Sequence, residues 1–273
     1  MNIPDMKRRK TTMIKVENLA KHFGSTKAVD GISLDIKEGE LFGLLGPNGA
    51  GKTTTVRMIA TLISQTAGTI EVNGFSLPKQ ATIVRNFIGY VPQALSSDGS
   101  LTGYENLLIF AKLVGLRKKE REQKINDLIK LMGIENFSKK LVKEYSGGMV
   151  RKLEIAQALL HYPKVLLLDE PTIGLDPIAR RSVWEVLETL KKNYDVTTLL
   201  TTHYMEEAEV LCNRLAIMDH GHIIAVGSPQ ELMAKTNTSN LEEAFIAFTG
   251  YGVEEGGNFH ELRTVRRTAR RLQ

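Results

Sequence analysis

Gly46-Pro47-Asn48-Gly49-Ala50-Gly51-Lys52-Thr53 is the stretch that decides the reading of this chain. It satisfies G-x-x-x-x-G-K-[ST], and it lies where that pattern has a mechanism: the apolar LFGLLG (41–46) leads in as a strand, and TTTVRMIATLI (53–63) leads out with helical apolar spacing. Glycines let the backbone turn its N–H groups inward onto phosphate oxygens, and the helix start adds a partial positive charge. Lys52 is the residue to reach the β- and γ-phosphates, and the Thr53 hydroxyl is placed to ligate Mg²⁺. Thr54 continues the same first turn. A flexible glycine turn would need none of this context.

Downstream, Val165-Leu166-Leu167-Leu168-Asp169-Glu170 is a continuous apolar run ending in two acids, suited to a central parallel strand. Its end lies at the carboxyl edge of the sheet, beside a phosphate loop. Asp169 is the expected Mg²⁺ holder and Glu170 the expected general base for an attacking water. Alone, such a run is an ordinary strand end; after a phosphate loop it completes a P-loop NTPase. Between the two, Tyr145-Ser146-Gly147-Gly148-Met149 opens a helix with an N-cap serine and free N–H groups, a second anion site. Two phosphate-binding helix starts for one nucleotide are puzzling in a monomer and natural in a head-to-tail dimer.

Around these motifs the chain alternates strand and helix. TMIKVENLAKHF, ISLDIKEGE, GTIEVNG and FIGYVPQ read as strands. Residues 101–162 are almost wholly helical, with a Thr102/Glu105 capping box before ENLLIFAKLVG and then RKKEREQKINDLIKLMG. After Val165 the alternation returns: PIARRSVWEVLETLKK and YMEEAEVLC are helical, VTTLLTTH is a strand, and NRLAIMDHGHIIAVG is a hairpin about His220-Gly221. Ser228-Pro229-Gln230-Glu231 starts a further helix. The result is one α/β sheet interrupted by a helical insertion, not two domains in tandem.

Composition excludes other classes. The 273 residues are 42% hydrophobic and 25% charged, ordinary for a globular chain, and Cys212 is the single cysteine, so no intrachain disulfide forms. No apolar stretch is long enough to span a membrane, and MNIPDMKRRK lacks the apolar segment of a signal peptide; a soluble cytoplasmic protein is expected. Of the net charge of +5, residues 1–10 carry +3 and residues 258–273 carry +4, which leaves the body at −2. A nucleic-acid binder is basic over its folded face, so no nucleic-acid partner is expected.

From about Met13 to Thr249 the chain resembles the ATP-binding subunit of an ABC transporter, with the family's motifs in order. Phe23 matches the aromatic that stacks on adenine, Gln93 the Q-loop glutamine that contacts Mg²⁺ and the water, Ser146-Gly147-Gly148 the signature motif, Gly174-Leu175-Asp176-Pro177 the D-loop that crosses the dimer interface, and His203 the switch histidine on the γ-phosphate. The resemblance implies a P-loop NTPase fold: α/β, with a mixed sheet core, an N-terminal antiparallel β subdomain and an inserted helical subdomain at about 94–163, all within 12–249. Residues 1–11 and 250–273 are expected as a basic tail and as a linker with an arginine-rich tail. The signature reads YSGGM where LSGGQ is commonest in the family, and phenylalanine replaces tyrosine at 23; the phosphate-contacting Ser146, Gly147 and Gly148 are kept, so active hydrolysis is expected.

The resemblance also implies an ATPase whose two subunits, a homodimer or an ATPase pair, sandwich two ATP molecules with Mg²⁺. Such a subunit sits on the cytoplasmic face of the membrane and drives a separate polytopic permease, docked in the groove around Gln93 to Glu105. There Ser96 to Gly103 reads as a polar, flexible loop. TTTVRMIATLISQTAGTIEVNGF, LTGYENL and RKLEIAQALLHYPKVLLLDEPTIGLDP look most like ABC-2 exporter subunits of the daunorubicin-resistance type. Importer ATPases share most of the motifs, so the alternatives are an ABC importer ATPase or a soluble non-transport ABC ATPase.

Overall fold

The computed structural model describes residues 11–250; the basic opening segment and the arginine-rich end lie outside the described residues. In chain order the elements are β1 (Thr12–Phe23), β2 (Thr26–Lys37), β3 (Leu41–Leu45), α1 (Lys52–Ile59), β4 (Ala67–Val72), β5 (Phe75–Leu77), α2 (Ala81–Arg85) and β6 (Ile88–Val91). Next come α3 (Gly103–Leu113), α4 (Lys118–Met132), α5 (Gly147–Leu159), β7 (Val165–Asp169), α6 (Pro177–Asn193), β8 (Thr197–Thr202) and α7 (Met205–Leu211). The last four are β9 (Arg214–Asp219), β10 (His222–Gly227), α8 (Pro229–Thr236) and α9 (Leu241–Thr249).

Two sheets carry the fold. One is antiparallel in the order β2-β1-β4-β5. Its strands alternate, with Ile14, Val16 and Leu19 buried while Lys15 and Glu17 face water, as a sheet with one solvated face must. β2 starts at Thr26, ahead of the apolar run from Ile32, because Thr26, Lys27 and Val29 pair back onto the end of β1 across a bulged hairpin. The other sheet has the order β10-β9-β3-β8-β7-β6, parallel from β6 to β9 with β10 antiparallel at the edge. Every residue of β3, β7 and β8 is buried, the signature of a parallel sheet covered on both faces.

The space between the sheets is filled from both, by Ile14, Leu19, Ile36, Phe42, Leu44, Ile70 and Leu199, together with Val56 of α1. On the opposite face of the second sheet lies another continuous core. It joins Leu166 and Leu168 of β7 to Leu107, Ile125 and Leu128 of the insertion, through Leu153 of α5 and Trp184 of α6. The insertion, α3 to α5, lies between β6 and β7, which are neighbours in register (Ile88 opposite Val165). Because α5 packs on α3 and α4 on one side and on α6 and β6 on the other, its first turn is fixed relative to the sheet.

Local signals behave as their chemistry requires. Both capping boxes form, Thr102 with Glu105 and Ser228 with Glu231, the second with Pro229 inside the first turn. α1 stops at Ile59, short of Ile63, because Thr61 adopts φ +64° and the N–H of Leu62 turns back to the Arg57 carbonyl at 2.9 Å. The short β5 and α2 and the terminal α9 carry too little periodicity to stand out in the sequence.

Candidate nucleotide-binding and catalytic site

Strands β3, β8 and β7 end side by side: Leu45 is opposite Thr202, and Thr201 is opposite Asp169. The residues immediately after them, Gly46 onward, His203 and Glu170, therefore meet at one edge of the sheet, the carboxyl edge where parallel sheets bind ligands. The loop is shaped by steric necessity. A Cβ on Gly46 would lie 2.1 Å from the Met218 carbonyl oxygen, and one on Gly51, at φ +102°, 2.4 Å from that of Ala28. Ala50 is buried, its N–H donating to the Pro47 carbonyl (3.2 Å) and its carbonyl accepting from Gly221 N–H (3.0 Å), whereas Asn48 and Gly49 are exposed at the tip. α1 starts from Gly51 with no side-chain cap and no acid in its first turn, where Lys52, Thr53 and Thr54 stand. Its leading N–H groups are thus left for an anion.

Lys52 is buried and its ammonium donates to the carbonyls of Gly46 (2.7 Å) and Pro47 (3.1 Å) while lying 3.2 Å from Glu170 Oε1. The other carboxylate oxygen of Glu170 is 3.0 Å from His203 Nδ1, so Nδ1 carries the proton of that contact. Burial pushes Glu170 toward a higher pKa, but the His203 hydrogen bond and the Lys52 charge outweigh it and the net shift is downward. Burial lowers Lys52 below the ordinary lysine value, opposed by the Glu170 carboxylate. Glu170 itself is held at φ +46°, a left-handed conformation that costs a non-glycine residue of order 1 kcal/mol or more and persists where the surroundings impose it. Its N–H is held by the Thr201 hydroxyl at 2.9 Å.

Asp169 is fully buried. Its Oδ1 accepts from both the Thr53 hydroxyl and the Thr201 hydroxyl, each at 2.8 Å, while Oδ2 is buried with no partner. A carboxylate with one oxygen saturated and the other unsatisfied is what a cation ligand leaves exposed to its ion. Thr201 does not stand out in the sequence. A threonine in an apolar central strand is a weak signal, and its role depends on the β7–β8 register.

Gln93 lies just beyond β6 and is exposed, and no hydrogen bond of its side chain ties it to Asp169 or Thr53. Its backbone is fixed instead. The Arg151 guanidinium, buried in α5, donates to the carbonyls of Pro92 (2.6 Å) and Gln93 (2.7 Å) and pairs with Glu154 at 2.9 Å. Glu154 in turn accepts from the N–H groups of Ser96 and Ser97, and Asp98 N–H donates to Asn106 at 3.0 Å. The segment from Ser96, expected to be flexible, is clamped: the amides and hydroxyls of Ser96 and Ser97 bond to buried Glu154 and Gln157 of α5, and the Asp98 amide to buried Asn106 of α3.

Ser146 caps α5, accepting from Met149 N–H, and none of its hydrogen bonds reaches the phosphate loop of its own chain. The glycines after it also have a packing reason. A Cβ on Gly147 would sit 2.9 Å from Leu175, and one on Gly148 would sit 2.9 Å from Ala179, so α5 starts pressed against the turn that opens α6. Asp176 caps α6 through Ile178 N–H (3.0 Å) and Ala179 N–H (2.9 Å). Tyr145 uses its hydroxyl to donate to the Phe137 carbonyl at 2.7 Å, beside Gly103. Phe23 stands 51% exposed at the end of β1 with the Lys21 ammonium 4.9 Å from its ring, a free aromatic face of the kind a base stacks on. The structure thus gathers Lys52, Thr53, Asp169, Glu170 and His203 into one cluster, and leaves Phe23, Gln93, Ser146 and Asp176 outside its hydrogen-bond network.

Residues 29–173 match the family described as "ABC transporter". The linearmycin resistance ATP-binding protein LnrL of Bacillus subtilis is 38% identical over 86% of this chain and 78% of its own length. The daunorubicin/doxorubicin resistance ATP-binding protein DrrA of Streptomyces peucetius is 40% identical over 86% of this chain and 71% of its own. Among solved structures, the dimeric post-hydrolysis ATP-binding cassette MJ0796 with ADP and Pi superposes with a TM-score of 0.70 at 27% identity, covering 79% of this chain and 98% of that one. The same order of motifs, the same cassette architecture and relatives matched over most of their length lead to one conclusion: the chain belongs to the ABC transporter family, as an ATP-binding subunit.

Proposed function

We propose that this chain binds and hydrolyses ATP to power an ABC-2-type exporter, acting from the cytoplasmic face of the membrane on a separate permease and as one of a pair of ATPase chains. The observation that carries the chemistry is the single cluster in which Lys52, Glu170 and His203 share contacts beside the Asp169–Thr53 pair. The loop N–H groups and Lys52 hold the β- and γ-phosphates. As Lys52 turns to phosphate, the Glu170 carboxylate becomes free to accept a proton from water as its oxygen attacks the γ-phosphorus; ADP leaves and inorganic phosphate forms. His203 stabilises the charge on the γ-phosphate oxygens.

The orphaned Oδ2 of Asp169 beside the Thr53 hydroxyl fits Mg²⁺, a hard cation bound by one or two protein oxygens plus substrate phosphates. When bound, that ion neutralises charge between the phosphates. Among the described residues no cluster of three or more acidic, histidine or cysteine side chains could hold a metal alone, in keeping with an ion that arrives with the nucleotide.

Resistance relatives such as LnrL and DrrA support the export direction and a drug-like or antibiotic cargo; a lipid or glycan cargo rests on the resemblance to the ABC-2 exporter group alone. Among the described residues no helix is long and apolar enough to cross a membrane. Leu95 before the clamped 96–103 segment, and Ile109, Phe110, Leu113 and Val114 in the later turns and C-cap of α3 after it, are exposed, apolar side chains that support docking of the permease on the insertion. The test is affinity purification of Glu170→Gln with ATP from detergent-solubilised membranes. Co-purification of a polytopic membrane protein is expected; recovery of soluble partners alone overturns the transport reading and leaves the ATPase chemistry standing.

A further inference from the structure

His203 stands at the free end of a strand with part of its ring exposed; its side chain is 29% accessible against 6% for Glu170. A single contact to Glu170 does not fix an imidazole that rotates about two bonds. The next residue does. The Tyr204 ring lies 4.1 Å from the His203 ring, tilted by 40°, and the Arg180 guanidinium lies 4.0 Å from the Tyr204 centroid. Tyr204 is itself held by its N–H, which donates to the Thr202 hydroxyl at 2.9 Å.

Arg180 belongs to α6, one turn past the Asp176 cap, and its N–H bonds the Asp176 carbonyl at 2.9 Å. One turn further on the same helix face, Trp184 donates to Glu207 of α7 at 2.9 Å, and Thr172 donates to the same oxygen at 2.7 Å. Glu207 is fully buried. So α6, the helix that opens from the turn at 174–177, grips the segment after β8 twice, at Tyr204 through Arg180 and at Glu207 through Trp184.

We propose that Tyr204 and Arg180 are positioning residues of the hydrolysis reaction: Arg180 stacks on the Tyr204 ring, that ring sets the orientation of His203 toward Glu170 and the γ-phosphate, and a displacement of the 174–177 turn is thereby carried to His203. Cation–π and ring contacts of this kind are each weak, but orientation is what they supply, and misplacing a catalytic group costs rate rather than affinity. The inference rests on the reading that His203 acts in ATP hydrolysis.

The experiment is steady-state ATPase kinetics and ATP binding for His203→Ala, Tyr204→Ala, Tyr204→Phe, Tyr204→Leu, Arg180→Ala and Arg180→Lys. It is joined by ¹⁵N-histidine NMR of the Tyr204 variants, in which a detached imidazole reports directly. Expected are a loss of about tenfold in kcat for Tyr204→Ala and Tyr204→Leu with KM and ATP affinity within about twofold, a smaller loss of the same kind for Arg180→Ala, recovery in Tyr204→Phe, and a shifted His203 signal in the Ala and Leu variants alone. Arg180→Lys should recover only part, since an ammonium cannot stack flat on a ring. Turnover unchanged in both Tyr204→Ala and Tyr204→Leu, or a loss carried in KM with the His203 signal unmoved, overturns the proposal. Normal turnover in His203→Ala instead removes the underlying role of His203, a failure recognisable without any Tyr204 variant.

Discussion

Glu170 is caught between two cationic or proton-donating neighbours, and the consequences can be measured on that one side chain. As general base it should supply about 10²–10⁴ of the rate, so Glu170→Gln is expected to lower ATP turnover at least about a hundredfold with ATP still bound; normal turnover would sink the assignment. Its pH behaviour has a definite sign. The folded pKa lies below the ordinary carboxylate value, so the ionised form stabilises the fold: the contribution is complete above the unfolded pKa of about 4.3 and is lost as pH falls through the lower folded value. Melting temperatures of the wild type and Glu170→Gln should therefore differ near neutral pH and converge in acid. At Asp169 the unsatisfied Oδ2 predicts that Asp169→Asn weakens Mg²⁺-dependent ATP binding far more than binding measured without the ion, which titration calorimetry in both conditions would show. Lys52, Thr53, Asp169 and Glu170 are legible in the sequence, because phosphate loops and strand-end acids are local patterns; His203, a lone histidine at a strand end, stands out only through the family resemblance. Thr201 and Tyr204 are not legible: what they touch depends on strand register and on a ring packed from α6, neither of which a local pattern encodes.

At the scale of elements, α5 joins the machinery. It begins at Ser146 and, from its second turn, sends Arg151 and Glu154 into the backbone after β6. Both side chains are almost wholly buried, so truncating one leaves the other charge without its partner, a loss of about 3–5 kcal/mol in comparable cases. Glu154→Ala should thus lower the melting temperature strongly. Changing both together, Arg151→Met with Glu154→Leu, should restore much of the stability yet leave the 93–97 backbone unclamped. If the single and double variants melt alike, the pair is not coupled as the geometry requires. Helices and strands with strong periodicity are readable from sequence, including both capping boxes and the insertion. The rigidity of the 96–103 segment is not, because serine and glycine read as a loop until the buried acceptor on a distant helix is known. The small β5 and α2 have no core-facing period long enough to register.

The whole molecule sets a geometric problem that one chain does not solve. The glycine loop opens α1 at the sheet edge, while the second helix start proposed to bind an anion, at Ser146, has no hydrogen bond to that loop. In the proposed pair of ATPase chains, each Ser146 helix start closes on the nucleotide held by the other chain; the similar MJ0796 cassette is itself dimeric and bound to ADP and Pi. ATP then supplies the attraction, and removing hydrolysis should trap the closed pair. Glu170→Gln with ATP and Mg²⁺ is accordingly expected to run, by light scattering after size exclusion, at about twice the 30.4 kDa of the chain, and as a monomer without nucleotide. The second variant locates the contact. Ser146→Asp keeps a strong N-cap for α5, so the fold is preserved, but it sets a carboxylate against the γ-phosphate presented by the opposite subunit, where like charges repel. In the Glu170→Gln background it should abolish the ATP-dependent dimer while ATP still binds at Lys52 with unchanged affinity. A Ser146→Asp chain that dimerises as well as its parent would place the Ser146 helix start away from the nucleotide, and the two anion sites would need separate explanations.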